Sequence, residues 1–569
     1  MSMKNAGIPA AKQHTAPGRN ALCRALPVLL LYALILPVWI FFAVQKDLWF
    51  CDEVYSYESA NSGIFYYLNP LDEAGRHITG QEITDYLSRG EKVFNFIEIE
   101  KYLYPDHVPF YFLLLRVCSL LFYGSASKWV GLSLNLIFYL LTAYLLYVFF
   151  HRFLKNAFGA ALLSAAVCLH PVLVSEATII RMYLMLTAEM LLFVMAARPS
   201  FFDPEAHSKE DRKPAALFRC FLPSCAAAAG MLTHYYFWIF VFCCSLVLGL
   251  DLLLSKRFRA LGCYIGSMLL SLVLTTAGFP LVWKRTILAG TSGDKAQGAL
   301  ASLTDPALAP GRIRDALAAF GSELFRRGAG TDTGSLSALL AGILVCIVSA
   351  LLLLTIRRLT RPGESRELLL LFLAALSDLF LIAWASPDLA VRYLWGPMIL
   401  MAVCALAALG ILLRAFSDAL ALKEYGKAGA LPAIFAALLC AASLISSLQP
   451  GRIDWLMTRP AAEKEAVETV AAGKPWVIFA DKVDWQLHCS FYDFRLAGDV
   501  VRISSAQESS PSPDSVLAAA SEIVFYCYAD LKDPEECLRY LEAVSGKKRA
   551  TCEQIAHAAF MNVYLVTFS

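Results

Sequence analysis

Apolar residues in this chain run together rather than alternating with polar ones. Stretches near the length an α-helix needs to cross a hydrocarbon core, about 20 residues, recur at 25–44, 129–150, 157–174, 178–197, 216–232, 234–254, 260–282, 335–356, 368–386, 394–413 and 429–449. The pattern predicts about eleven transmembrane helices. The first run is too long for a signal-peptide core and no small-residue cleavage site follows it, so it reads as a retained span. A further apolar run at 107–123 is nearly long enough to cross but carries Arg116 at its middle.

Short loops rich in Lys and Arg stay cytoplasmic. Lys4, Lys12, Arg19 and Arg24 place the tail 1–24 inside. The basic turns at 152–155, 198–219, 256–259, 357–366 and 414–427 join it on that side only if 107–123 does not cross. The expectation is therefore a helix at 107–123 lying along, or dipping into, the outer surface. The membrane part, 25–449, then has a large outer loop at 45–128 and a second at 283–334. The second loop is outside by parity although it holds Lys284, Arg285, Arg312, Arg314, Arg326 and Arg327, and its glycines suit a lid over a cleft.

After residue 449 the pattern changes. Short β-rich runs at 476–480, 500–503, 523–528 and 562–568 alternate with helix-like segments near 461–471, 515–520 and 535–543. This predicts a small α/β domain over 450–569, extracytoplasmic by the same parity.

Composition agrees with a bilayer protein: 58% of the 569 residues are hydrophobic, 17% are charged, and the mean hydropathy is +0.57. The formal net charge of +2 supplies no global field, so a nucleic-acid partner is not expected. Most of the 16 cysteines sit in apolar runs, and no CxxC pair or His/Cys cluster has zinc-ligand spacing. Cys489, Cys527, Cys537 and Cys552 allow three complete pairings, and none is predicted. No internal repeat is evident, which disfavours a repeat-built transporter.

Candidate chemistry gathers at the outer ends of the spans. Asp52 and Glu53 follow the first span directly, ahead of Tyr55. Adjacent helical residues point about 100° apart, so one of the pair can face a cleft while the other serves the backbone, and an Asp there equally suits a helix cap. The turn between the third and fourth spans holds His170, Ser175, Glu176, Arg181 and Tyr183. An arginine at that depth needs an anion: a lipid phosphate supplies one, and pairing with Glu176 is the plainer alternative. His234 with Tyr235 and Tyr236, and Arg392 with Tyr393, open later spans at the same face, where aromatic residues are also ordinary interfacial belt. Glu189, Asp251 and Asp378 lie in or near spans without an assignable role.

With Asp52-Glu53, the His107-Val108-Pro109-Phe110-Tyr111 stretch, Arg181-Met182-Tyr183, His234-Tyr235-Tyr236 and Arg392-Tyr393 in this order, the chain resembles the GT-C superfamily of multispanning glycosyltransferases. The likeness is to bacterial members of glycosyltransferase family 39, related to protein O-mannosyltransferases and aminoarabinose transferases. The resemblance implies a polytopic α-helical membrane protein of GT-C-like fold with a small extracytoplasmic C-terminal α/β domain. It implies an inverting transfer of a sugar from a polyprenyl-phosphate carrier to an acceptor hydroxyl on a lipid, glycan or protein, at the outer face of the cell membrane.

Asp52 would be the general base, with Glu53 beside it as the second catalytic candidate. Arg181, Tyr183, His234, Arg392 and Tyr393 would hold the donor phosphate, and His107, Glu176 and Tyr55 would add substrate contacts; Lys284 and Arg285 would either add such contacts or, the favoured reading, anchor to anionic lipid headgroups. No bound cofactor or metal is implied, and dependence on a divalent metal stays open. Partners are the lipid-linked sugar, membrane lipids and the acceptor. The rival readings are a transporter or flippase of lipid-linked sugars, which needs neither the Asp-Glu pair nor a large outer domain, and a silent scaffold.

Overall fold

A computed structural model describes residues 17–61, 69–88, 107–122, 125–202, 213–283, 293–325, 335–357, 362–386, 389–420, 430–504, 514–529 and 534–569. The helices in chain order are α1 (Pro17–Gln45), α2 (Cys51–Asn61), α3 (Gly80–Ser88), α4 (Phe110–Leu121), α5 (Lys128–Leu154), α6 (Ala157–Cys168), α7 (Pro171–Thr178) and α8 (Tyr183–Phe202). They continue with α9 (Lys213–Thr233), α10 (Tyr235–Leu254), α11 (Phe258–Gly278), α12 (Gly293–Thr304), α13 (Ala309–Phe325), α14 (Leu336–Ile356), α15 (Pro362–Ala385), α16 (Trp395–Ala419) and α17 (Ala430–Ser447).

Among the described residues, eight helices are long and apolar enough to cross a membrane, and the bent pair α6–α7 makes a ninth. The remaining two predicted spans, 178–197 and 216–232, fall on α8 and α9, which are not among the helices that meet this length and hydropathy requirement over the described residues.

The run at 157–174 is not one continuous helix, as its hydropathy had suggested. Pro171 offers no N–H and drives the residue before it out of the helical region, and His170 is extended at φ −66°, ψ 140°. The chain turns by 65° there and restarts as α7. A second extended residue, Ile179, ends α7 and opens the turn that carries Arg181.

Helix α4 occupies the 107–123 run and is too short to cross by itself. Its 12 residues rise only about 18 Å, short of a hydrocarbon core about 30 Å thick. Arg116 turns inward, is 2% exposed, and donates to Asn61 Oδ1 at 3.1 Å. The second predicted loop contains the packed helix α13, so this part of it is not a loose lid. A Cβ on Gly321 would stand 2.1 Å from Ala338 O and 2.5 Å from Gly342 N, which is how closely α13 lies on α14.

The C-terminal part is a mixed sheet in the order β1-β3-β2-β4-β6-β5. Its strands are β1 (His77–Ile78), β2 (Pro475–Phe479), β3 (Asp499–Ile503), β4 (Glu522–Tyr528), β5 (Arg549–Ala558) and β6 (Met561–Phe568). Strands β3, β2 and β4 are parallel, and β6 and β5 continue antiparallel. The edge strand β1 comes from the first outer loop: His77 pairs Val501 and Ile78 pairs Val500.

Segment 69–88 thus completes a domain that hydropathy places wholly after residue 449. Arg502, 4% exposed, donates to the carbonyls of Leu71, Asp72, Ala480 and Asp481 at 2.7–2.8 Å. His77 lies between Asp499 at 2.5 Å and Asp514 at 2.6 Å. This clamp fastens the loop that follows the first span to the sheet.

Candidate active site

The site is built on the first turn of α2. Lys46, one residue beyond α1, is fully buried and pairs with Glu53 Oε2 at 2.9 Å. Glu53 also accepts from the Phe50 N–H at 2.8 Å, capping the helix start, and from the Ile180 N–H at 2.7 Å. Both of its oxygens are therefore engaged. The Ile180 bond ties α2 to the turn between α7 and α8, and Lys46 reaches on to the Trp455 carbonyl at 3.1 Å. Glu53, expected as a second catalytic candidate, is instead placed as a buried clamp that fixes the rotation of α2.

With Glu53 turned inward, Asp52 is aimed elsewhere. Its carboxylate is 14% exposed and lies 3.0 Å from Arg392 Nη2 and 4.0 Å from Arg181 Nε. Arg181, 5% exposed, donates through Nη1 to the Asp52 carbonyl at 3.1 Å and to Ser56 Oγ at 3.2 Å. Its Nη2 lies 3.0 Å from His107 Nε2. A guanidinium has only donors, so Nε2 accepts and the His107 proton sits on Nδ1. Arg392 Nε donates to the Tyr183 hydroxyl at 3.0 Å.

Aromatic rings enclose these charges. The Arg392 guanidinium carbon is 5.3 Å from the ring centres of both Tyr393 and Trp455, contacts that are worth about 0.5–2 kcal/mol each, depending on desolvation. Tyr183, His234, Tyr236 and Tyr393 form one cluster, with ring centres 4.9–6.2 Å apart. His234 caps α10 by accepting from the Tyr236 N–H at 3.1 Å.

The tertiary structure therefore brings together Asp52, His107, Arg181, Tyr183, His234, Arg392 and Tyr393. Two expected residues stand apart. Glu176 is fully buried, accepts from the Thr187 hydroxyl at 3.2 Å, and is not the partner of Arg181, which bonds Asp52, Ser56 and His107 instead. Tyr55, one helical turn beyond Asp52, is half-buried with its ring centre 4.7 Å from that of His488 in the C-terminal domain. Lys284 and Arg285 lie outside the described residues.

Lys46, Ser56 and Trp455 belong to the constellation and escaped the sequence reading. A lysine at a span end normally snorkels to water, so its burial has no local signal, and Trp455 stands just after residue 449, where the sequence shows only a change of pattern. Trp455 adopts φ +58°, an unfavourable region for a bulky side chain that costs about 1–3 kcal/mol where surrounding contacts impose it.

Chemically, a partly exposed carboxylate borders two arginines. A carboxylate of this kind can accept a proton from a hydroxyl, and arginines beside it can hold a tetrahedral anion. Among the described residues, no group of three or more His, Cys, Asp or Glu is arranged to hold a metal ion.

No family model matches the sequence, and no curated protein matches it. Among solved structures, the fold is similar to that of ArnT from Cupriavidus metallidurans bound to undecaprenyl phosphate. The TM-score is 0.50 at 12% identity, over 97% of this chain and 98% of that one. The apo state of ArnT gives 0.50 at 14% identity, over 95% and 97%. An oligosaccharyltransferase from Archaeoglobus fulgidus, tethered to an acceptor peptide, gives 0.45 at 11% identity over 93% of this chain and 72% of its own. The ArnT likeness extends over nearly the full length of both chains, and the fold is GT-C-like.

Proposed function

We propose that this GT-C-like membrane protein is an inverting glycosyltransferase that moves a sugar from a polyprenyl-phosphate carrier to an acceptor hydroxyl at the extracytoplasmic face of the cell membrane. The observation that carries the reading is Asp52 placed 3.0 Å from Arg392 and 4.0 Å from Arg181. The fold shared with ArnT, whose structure holds undecaprenyl phosphate, supports the choice of carrier.

The donor phosphate competes with Asp52 for Arg392. As the guanidinium turns to the phosphate, Asp52 is released to accept the proton of the acceptor hydroxyl. The acceptor oxygen then bonds to the anomeric carbon from the face opposite the phosphate, the carbon–oxygen bond to phosphate breaks, and the polyprenyl phosphate leaves with the electron pair. Arg181 and Arg392 stabilise the charge it gathers, with Tyr183 and His107 fixing their orientation. A base so placed contributes roughly 10²- to 10⁴-fold.

The test is transfer of radiolabelled sugar from a panel of polyprenyl-phosphate sugars by the purified wild type and Asp52→Asn, with membrane extract supplying acceptors. Product that depends on Asp52 supports the reading and identifies the donor sugar. Donor bound and carried across vesicles without a glycosidic product would replace it with the transporter reading.

A further inference from the structure

We propose that Trp455 is a positioning residue for Arg392, setting the plane of the guanidinium that alternates between Asp52 and the donor phosphate. The inference rests on the glycosyltransferase reading above.

Trp455 lies between α17 and the sheet, in a segment fastened on several sides. Its carbonyl accepts from Lys46, the neighbouring Asp454 N–H donates to Ser175 Oγ at 2.9 Å, and the Met457 carbonyl accepts from the N–H groups of Asp47 and Leu48 at 3.0 Å. These bonds reach the α1–α2 junction and α7, and they hold the backbone at φ +58°. They also fix the indole, with its ring centre 4.3 Å from that of Phe50 and 5.3 Å from the Arg392 guanidinium carbon.

The geometry matters because guanidinium donors lie in its plane. Contact with an aromatic ring restrains the group without consuming a donor. Trp455 and Tyr393 restrain Arg392 in this way, Tyr183 takes Nε, and Nη2 points at Asp52. When phosphate arrives, that edge changes partner while the contacts with the two rings stay. The same residue touches Lys46, which pairs with the Glu53 clamp of α2, so the linker registers Arg392 against the helix that bears Asp52. If Trp455 merely filled space against Phe50, its loss would lower stability and leave Arg392 competent.

The experiment uses the full-length protein in lipid nanodiscs, as wild type, Trp455→Ala and Trp455→Phe. Binding of undecaprenyl phosphate, kcat and KM for transfer, and Tm are measured for each. The expected result is binding weaker by about ten-fold in Trp455→Ala, with kcat/KM down by at least as much, and recovery to within about three-fold in Trp455→Phe, which keeps a ring. Tm should fall further in Trp455→Ala, which loses the packing against Phe50, and the protein should stay folded at the assay temperature in both variants.

Unchanged binding and kcat/KM in Trp455→Ala would overturn the proposal, as would equal losses in both variants that track a common fall in Tm. Wild type that binds the lipid phosphate in a Trp455-dependent way yet forms no product would retire the transferase reading and keep the assignment of Trp455. Wild type that does not bind undecaprenyl phosphate would retire both.

Discussion

Asp52 and Glu53 are neighbours in sequence with opposite fates, and their variants should separate cleanly. Asp52→Asn removes a proton acceptor from a partly exposed site; transfer should fall roughly 10²- to 10⁴-fold with Tm little changed. Glu53→Gln leaves Lys46 buried without its counter-charge. Stability should drop by about 3–5 kcal/mol, read as a large fall in Tm with activity lost only through loss of fold. A second residue-scale prediction concerns Glu58, also on α2, whose Oε1 lies 3.5 Å from His488 Nε2. Burial pushes the Glu58 carboxyl from 4.5 up to about 8 and His488 from 6.5 down to about 4, so the contact joins two neutral groups near neutral pH. The folded state keeps a proton on Glu58 that the unfolded chain releases. Its contribution is therefore complete below pH 4.5 and lost as pH rises through about 8. His488 runs oppositely, complete above 6.5 and lost as pH falls through about 4. Glu58→Gln should flatten the alkaline decline, a difference on the order of 3 kcal/mol, checked by melting curves at about pH 5 and about pH 8.

At the scale of elements, helix breaks place the site. The Pro171 break and the extended Ile179 present the Ile180 N–H to Glu53 and Arg181 to Asp52; an unbroken span would carry both groups away along a helix. Hydropathy finds the span because it averages over such breaks. The same averaging hides helix α13 inside a segment that reads as a flexible loop. Helix α13 supports the site from behind, since Glu323 accepts from the Trp395 indole at 3.2 Å and Trp395 packs at 6.1 Å against Tyr183. Gly321→Val should force α13 away from α14, where even a Cβ would meet backbone. The expected cost is about 1–3 kcal/mol, measured as a lower Tm, with a loss of transfer larger than that of an exposed α13 substitution such as Arg314→Ala.

At the scale of the whole molecule, the C-terminal domain is part of the framework of the candidate site. It borrows β1 from the first outer loop, takes the carbonyls of Leu71 and Asp72 onto Arg502, and reaches the site through Trp455. Residues 450–569 expressed alone would leave the buried Arg502 without two of its four carbonyl partners and the β3 edge unpaired. Such a fragment should unfold at lower urea than the same fragment fused to residues 69–88. Equal midpoints for the two would show that the loop strand adds nothing to the stability of the sheet.

Hydropathy alone determined the spans, because crossing a bilayer demands about 20 apolar residues in a row and nothing distant changes that demand. The α/β character of the end of the chain was equally local, set by strand and helix periodicities. The grouping of Asp52, Arg181, His234 and Arg392 at one face followed from their positions at span ends. Which member of the Asp52-Glu53 pair meets the cleft was not decided locally, since Lys46 and Ile180, the latter 127 residues away, select the buried one. The partner of Arg181, the helix within the second loop, the edge strand at His77 and the place of Trp455 were decided in the same way. Each depends on charge pairing, close approach or hydrogen bonds between segments far apart in the chain, and those exist only once the helices have packed.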